Sequence, residues 1–253
     1  LIEKYRGEYT NAQLVIDEKG KRIFIMVQAN IPDKEVIKKE DVKVLGIDRG
    51  IKNIVLNNMF FNSRHLREVK GRYHYLKRRL QHLGTRSAHR KLRKLSGRER
   101  RFVLDVNHVI SKKIISLPYD AFALEALNPA YMRENGHGRR FKSMLGSWSP
   151  SELERFIEYK AKDAGKNVVY VNPKHTSQKC SRCGYTDKNN RHGSVFRCKN
   201  CGFELNADLN ASRNIEVLGT SEYFRLLSAS QSLRFNETPL MGGWGDQQQA
   251  PKL

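Results

Sequence analysis

Four cysteines and three acidic residues are the parts of this sequence whose types and spacing could do chemistry. The cysteines form two Cys-x-x-Cys pairs, Cys180-Ser181-Arg182-Cys183 and Cys198-Lys199-Asn200-Cys201, with fourteen residues between them. Gly184 and Gly202 follow the pairs and let the backbone fold tightly round the sulfurs. Four thiolates so spaced can surround one Zn²⁺ ion as a tetrahedron, with Zn–S distances of ~2.3 Å. Protein would fill all four positions and leave none for a reacting water, so the expected zinc is structural. His175 and His192 lie nearby and read as polar loop residues rather than ligands. The acids are Asp48, Glu125 and Asp208, each following apolar residues, where an unpartnered carboxylate is costly. Carboxylates that converge from separate elements can hold two Mg²⁺ ions about 3.5–4 Å apart, the arrangement that cleaves phosphodiesters. Magnesium is hard and takes oxygen ligands, so Asp and Glu suit it and Cys does not. Singly, each acid has another reading: Asp48 as a turn residue, Glu125 as an edge charge, Asp208 as a helix cap.

The elements that would carry these residues follow from pattern. Val42 to Asp48 reads as a strand, Arg49-Gly50 as a tight turn, and residues 51–56 as the returning strand. A strand with an immediate hairpin return is how an RNase H-like sheet begins. Ala121-Phe122-Ala123-Leu124 is a buried strand ending in Glu125, and Asp208 opens a last helix over 208–218. Between the first two acids, residues 64–117 are mostly helical: Leu66, Val69, Tyr73, Leu76, Leu80 and Leu83 recur at spacings of three and four. A second helix there carries Phe102, Val106, Val109, Ile110 and Ile114 on one face, and Pro118 ends it. Residues 128–146 form a Gly- and Arg-bearing loop. Ser149, Pro150 and Glu152 make a capped helix start, with Leu153, Phe156, Ile157, Ala161 and Ala164 as its apolar face and Gly165 as its stop. A strand at 168–171 and a cysteine-rich insert at 175–205 follow. Ahead of the first acid, residues 12–16 and 22–28 read as a hairpin joined by Asp17-Glu18-Lys19-Gly20, which the chain enters almost at once. Periodicity fades beyond Gly219, so residues 219–253 are expected to be a disordered tail. The order of the three acids along this strand–hairpin–helix–strand–helix–strand–helix pattern favours a shared site over the three separate readings.

Charge supplies the partner class. Lys and Arg number 47 against 26 Asp and Glu, a formal +21 over 253 residues. So strong a bias repels itself in a compact fold and implies a polyanion. Residues 64–101 concentrate it, with fifteen Lys or Arg and only Glu68 and Glu99 as acids. A merely solvated helical face mixes both signs, so this stretch reads as a phosphate-tracking surface. Arg64, Arg67, Lys77, Arg78, Arg79, Arg90, Lys91, Arg93 and Lys94 are its candidate nucleic-acid contacts. No stretch nears the ~18 apolar residues of a membrane span. The start, Leu1-Ile2-Glu3-Lys4, is unlike a secretory signal, and a cytoplasmic location is expected.

Five segments carry a resemblance: Gly46 to Gly50, Leu124 to Asn128, His175 to Gly184, Phe196 to Gly202, and Asn206 to Ile215. Over roughly residues 10–218 the chain resembles the TnpB (OrfB) transposon-encoded RNA-guided nucleases, relatives of the type V CRISPR effectors. The resemblance implies an α/β fold: an RNase H-like (RuvC) mixed sheet with flanking helices and a zinc ribbon inserted before the last acid. It makes Asp48, Glu125 and Asp208 the catalytic, Mg²⁺-binding residues of a two-metal endonuclease. It implies guide RNA and target DNA as partners and a prokaryotic, cytoplasmic setting. The implied domains are 1–41, the remnant of a guide-binding β-barrel; 42–174, the first part of the nuclease, with its basic helices at 64–117; 175–205, the ribbon; and 206–218, the last nuclease helix. Most of the family's N-terminal barrel and recognition lobe is expected to be missing, and Arg49 stands where the family often has a leucine-like residue. Two alternatives are a module that binds RNA or DNA without cutting, and a transposase, for which no tyrosine or serine nucleophile signature is seen.

Overall fold

In the computed structural model the described residues are 8–16, 22–30, 34, 39–50, 52–57, 59–127 and 150–235. The 17–20 turn, the 128–146 loop, the Ser149 cap and residues 236–253 lie outside them. Strands β1 (Glu8–Ile16) and β2 (Ile23–Asn30) pair antiparallel, Ile16 opposite Ile23 and Leu14 opposite Ile25. Both faces of this ribbon carry exposed apolar side chains, Leu14 and Ile25 on one and Phe24 and Met26 on the other.

The central sheet has five strands: β3 (Val44–Arg49), β4 (Asn53–Leu56), β5 (Met59–Asn62), β6 (Ala121–Glu125) and β7 (Asn167–Val171). Their spatial order is β5-β4-β3-β6-β7. The first three form an antiparallel meander, while β6 lies parallel to β3 and β7 parallel to β6. A parallel return needs a long crossover. The β3-to-β6 connection includes the helical hairpin α1 (Arg64–Leu83) and α2 (Arg86–Ile115), and α3 (Pro150–Asp163) precedes β7.

Alternation along the strands decides which helices cover which face. Leu45, Ile47, Phe122 and Leu124 turn to one side and pack with Ile114 of α2 and with Leu153, Ile157 and Ala161 of α3. Val44, Ala121, Ala123, Val169 and Val171 turn to the other and pack with Ile215 and Tyr223 of the last helix, α4 (Ala207–Phe235). Asp48, two residues from Gly46, and Glu125, two from Ala123, therefore belong to the α4 side.

α4 lies unusually close to the sheet because small residues meet. A Cβ placed on Gly46 would stand 2.1 Å from the Ser212 carbonyl oxygen, and one on Gly219 would stand 2.2 Å from the Ala123 Cβ. Ser212 Oγ donates to the Gly46 carbonyl (2.9 Å) and accepts from the Asn57 amide (3.0 Å), pinning α4 to β3 and the β4–β5 turn.

Two expectations need correction. The boundary between the helices of residues 64–117 falls at Gly84, in the left-handed conformation, and Thr85, whose hydroxyl caps Ala88 N at 3.2 Å. The face containing Phe102 and Ile114 is thus the C-terminal half of one long helix, not a separate one. The last helix does not stop at 218; it continues to Phe235. Its stripe Ile215, Gly219, Tyr223, Leu227 keeps a four-residue spacing, and Gly219, carrying no apolar side chain, hides that stripe from a hydrophobic pattern. Residues 219–235 are therefore helix and not tail.

Candidate active-site cleft and cysteine knuckle

The cysteine insert folds into two facing turns and a small antiparallel sheet, with β8 (Arg191–His192), β9 (Val195–Arg197) and β10 (Glu204–Asn206) in spatial order. The two turns repeat one plan. Gly184 N donates to the Cys180 carbonyl and Gly202 N to that of Cys198, each glycine at positive φ. The four sulfurs lie within 4.8 Å of one another. Cys180 Sγ is 3.8 Å from Cys201 Sγ and Cys183 Sγ 3.6 Å from Cys198 Sγ. Those are too long for disulfides, and they match the ~3.8 Å edge of a tetrahedron with arms of ~2.3 Å. The residues present thus fit a tetrahedral metal ion. Neither His175 nor His192 joins the cluster.

Asparagines tie the insert to the body. Asn190, fully buried, donates to the Gln178 carbonyl and accepts from Lys199 N, joining the two turns. Asn210 donates to the Lys179 carbonyl and accepts from Ser181 N. Asn214, one turn further along α4, donates to the Thr176 and Lys179 carbonyls. The Asn206 side chain accepts from the amides of Asp208 and Leu209, at 3.0 and 3.1 Å. Asn206 is therefore the cap of α4, which leaves the Asp208 carboxylate uncommitted to that role.

That carboxylate instead joins Asp48 and Glu125 along one cleft of about 510 Å³, where the sheet, α4 and the insert meet. Asp48 and Glu125 sit side by side at the C-terminal ends of parallel β3 and β6. Arg49, only 4% exposed, reaches from β3 to the Glu125 carbonyl and to the Glu154 carboxylate of α3. Thr176 donates its hydroxyl to Glu125 Oε1. Arg191, carried by β8 of the insert, donates to Asp208 Oδ1 at 2.7 Å.

Burial pushes the Asp48 carboxyl up to about 8; the negative charges of Glu125 and Asp208 add to this, and Arg191 and Arg49 oppose it. Burial also raises Glu125, against the Thr176 hydrogen bond and both arginines. Two arginines thus face three carboxylates. Among the described residues, only the cysteines gather three or more metal-capable donors within 4.8 Å, so the carboxylates share their cleft at wider spacing.

Of the nine candidate nucleic-acid contacts, eight are exposed on α1 and α2. The exception is Lys77, which pairs with Glu99 across the two helices and braces the hairpin. The residues missed in the sequence were Arg49, Arg191, Thr176 and the asparagines. Asn210 and Asn214 could have been found, since their spacing of four places them on one helical stripe, and Asn206 as the cap ahead of it.

Two family models match the chain. One, described as "Probable transposase", covers residues 27–136, and the other, "Cas12f1-like, TNB domain", covers residues 151–215. A CRISPR-associated endodeoxyribonuclease Cas12f1 of Syntrophomonas palmitatica is 30% identical over 83% of this chain and 46% of its own length. A TnpB-like protein of Methanocaldococcus jannaschii is 39% identical over 49% of this chain and 45% of its own. The chain therefore spans about half the length of these curated relatives. The fold is shared with a solved Cas12f1–sgRNA–target DNA complex, at a TM-score of 0.55 and 19% identity over 83% of this chain and 65% of the other.

Proposed function

Because the chain belongs to the family of TnpB-like and Cas12f1 proteins, we propose that it is the nuclease part of an RNA-guided, Mg²⁺-dependent DNA endonuclease. The observation that carries this reading is the common cleft of Asp48, Glu125 and Asp208. These acids lie 77 and 83 residues apart in sequence, and the two matched segments contain them all. We assign the sheet, with its antiparallel meander followed by two parallel strands, to the RNase H-like (RuvC) class.

The three carboxylates would hold the Mg²⁺ ions. When bound, those ions supply activation of the attacking water and charge neutralisation at the leaving oxygen. The fit rests on chemistry in the cleft: three oxygen-donor acids, one of them pushed up to about 8 by burial and by the like charges of the other two. Thr176 and Arg49 position Glu125 from its side chain and from its backbone. Arg191 holds Asp208 and presents a guanidinium within the cleft, where a phosphate would lie. We assign the ion that the four cysteines would hold as structural zinc, since four thiolates suit it and leave no open position.

We read 1–41 as part of a guide-binding β-barrel, 42–174 with 206–235 as the nuclease body, and 175–205 as the ribbon. A two-stranded ribbon with apolar side chains on both faces suits a piece of a larger sheet. Arg64, Arg67, Arg78, Arg79, Arg90, Lys91, Arg93 and Lys94 would follow nucleic-acid phosphates, guide and target being read by base pairing.

The test is cleavage by protein purified with the RNA that accompanies it from cells carrying its native flanking DNA. DNA matching that RNA should be cut in Mg²⁺ and not in its absence. Asp48→Ala should lower the rate by at least a thousandfold while circular dichroism stays unchanged. Undiminished cutting by Asp48→Ala would overturn the assignment. Binding of the matched DNA without any cutting by the parent would leave a nucleic-acid-binding module.

A further inference from the structure

The solvent face of α1 holds a feature that phosphate contact does not explain. Tyr75 is 60% exposed in the middle of the most basic stretch of the chain. The Arg79 guanidinium lies 5.9 Å from its ring centroid. Along the same helical stripe, Gly71 precedes Tyr75 by one turn, and Arg78 and His82 follow it. These residues, with His74, line an open concavity of about 900 Å³.

Gly71 is the unexpected member. Glycine in a helix interior is destabilising relative to alanine. No close contact requires it, because a Cβ at Gly71 would meet nothing within 4 Å. Helical side chains lean toward the N-terminus and cover the turn before their own. The bare position therefore lies beside the Tyr75 ring and keeps a flat space open there.

We propose that Tyr75, with Gly71 as its notch and Arg78 and Arg79 as its phosphate partners, is a stacking site for an unpaired nucleotide of a single-stranded nucleic acid. Duplex phosphates need only the cations; an exposed ring adds nothing for a base already stacked within a helix. A splayed base offers a π face to the ring while its phosphates meet the arginines. RNA and DNA strands share this chemistry.

The inference rests on the nucleic-acid reading of the chain but not on cutting, so its test contains no cleavage step. In Mg²⁺-free buffer, 12-mer RNA and DNA strands carrying one 2-aminopurine are titrated with the parent, Tyr75→Ala, Tyr75→Phe and Gly71→Leu. The parent and Tyr75→Phe should quench the fluorophore. Tyr75→Ala should lose the quench and bind about tenfold more weakly, the loss expected for one stacked base. Gly71→Leu should reduce both quench and affinity by closing the notch. Affinity for a 12-base-pair duplex should change less than twofold in every variant. The strand quenched more strongly identifies the source of the nucleotide. Equal quenching by the parent and Tyr75→Ala would overturn the proposal, as would a loss of duplex affinity matching that of single strands.

Discussion

At Asp48 the local chemistry is a conflict between burial and charge. The side chain is buried beside two like-charged neighbours, with Arg191 and Arg49 opposing them, and its carboxyl is pushed up to about 8. An unfolded Asp titrates near ~3.9. Between these values the folded metal-free protein holds a proton that the unfolded chain has released. Its stability therefore falls as pH rises from about 4 to about 8 and levels off above that. Melting midpoints should drop by several degrees between pH 5 and pH 8. Asp48→Asn should remove most of that drop, leaving the share of Glu125, whose carboxyl is raised the same way. Saturating Mg²⁺ should also flatten it, because bound cations replace the protons. Parallel melting curves for parent and Asp48→Asn across this range would show that the cleft does not strain Asp48.

Among the elements, α4 does the positioning. It brings Asp208 to the cleft, anchors the cysteine insert through Asn210 and Asn214, and presses on the sheet through Gly219 and Ser212. The closeness of that packing exposes it to small changes. Gly219→Ala would place a methyl 2.2 Å from the Ala123 Cβ, so the helix must move away. Overpacking of this kind costs about 1–3 kcal/mol. The variant should unfold at lower denaturant with an unchanged slope and should also lose divalent-cation affinity, because Asp208 shifts with the helix. Gly71→Ala, on the open face of α1, is the control: with nothing to strike and a better helix former in place, it should melt at or above the parent temperature.

Across the whole molecule, the cysteine insert and the carboxylate cleft are one assembly, because Arg191 passes between them. It follows directly after Asn190, the residue that joins the two cysteine turns, and ends on Asp208. Removing the ion that the cysteines would hold should therefore be felt in the cleft. Treatment with a zinc-selective chelator, or Cys198→Ser, should loosen amide protection over 175–206 first. Protection of the β3–β6 core should persist, since its apolar contacts on the α2 and α3 side involve none of the insert. Simultaneous loss of protection in both regions would mean that the ion supports the whole fold rather than the insert.

The sequence by itself determined the parts that depend on residue type and near spacing. The four cysteines needed only two short turns and a gap to define their cluster. Asp48 and Glu125 needed only the short apolar runs before them to be placed at the ends of strands. Tertiary structure decided everything that depends on what lies opposite. Nothing in the spacing of Arg191 links it to Asp208; only the fold sets the two together. Arg49 looked like a turn residue until β6 and α3 closed round it. The length of α4 was hidden because the residue at its closest contact with the sheet, Gly219, has no side chain to leave a pattern. Chain spacing records which groups are available, but convergence is set by packing between segments distant in sequence, and no local pattern carries that information.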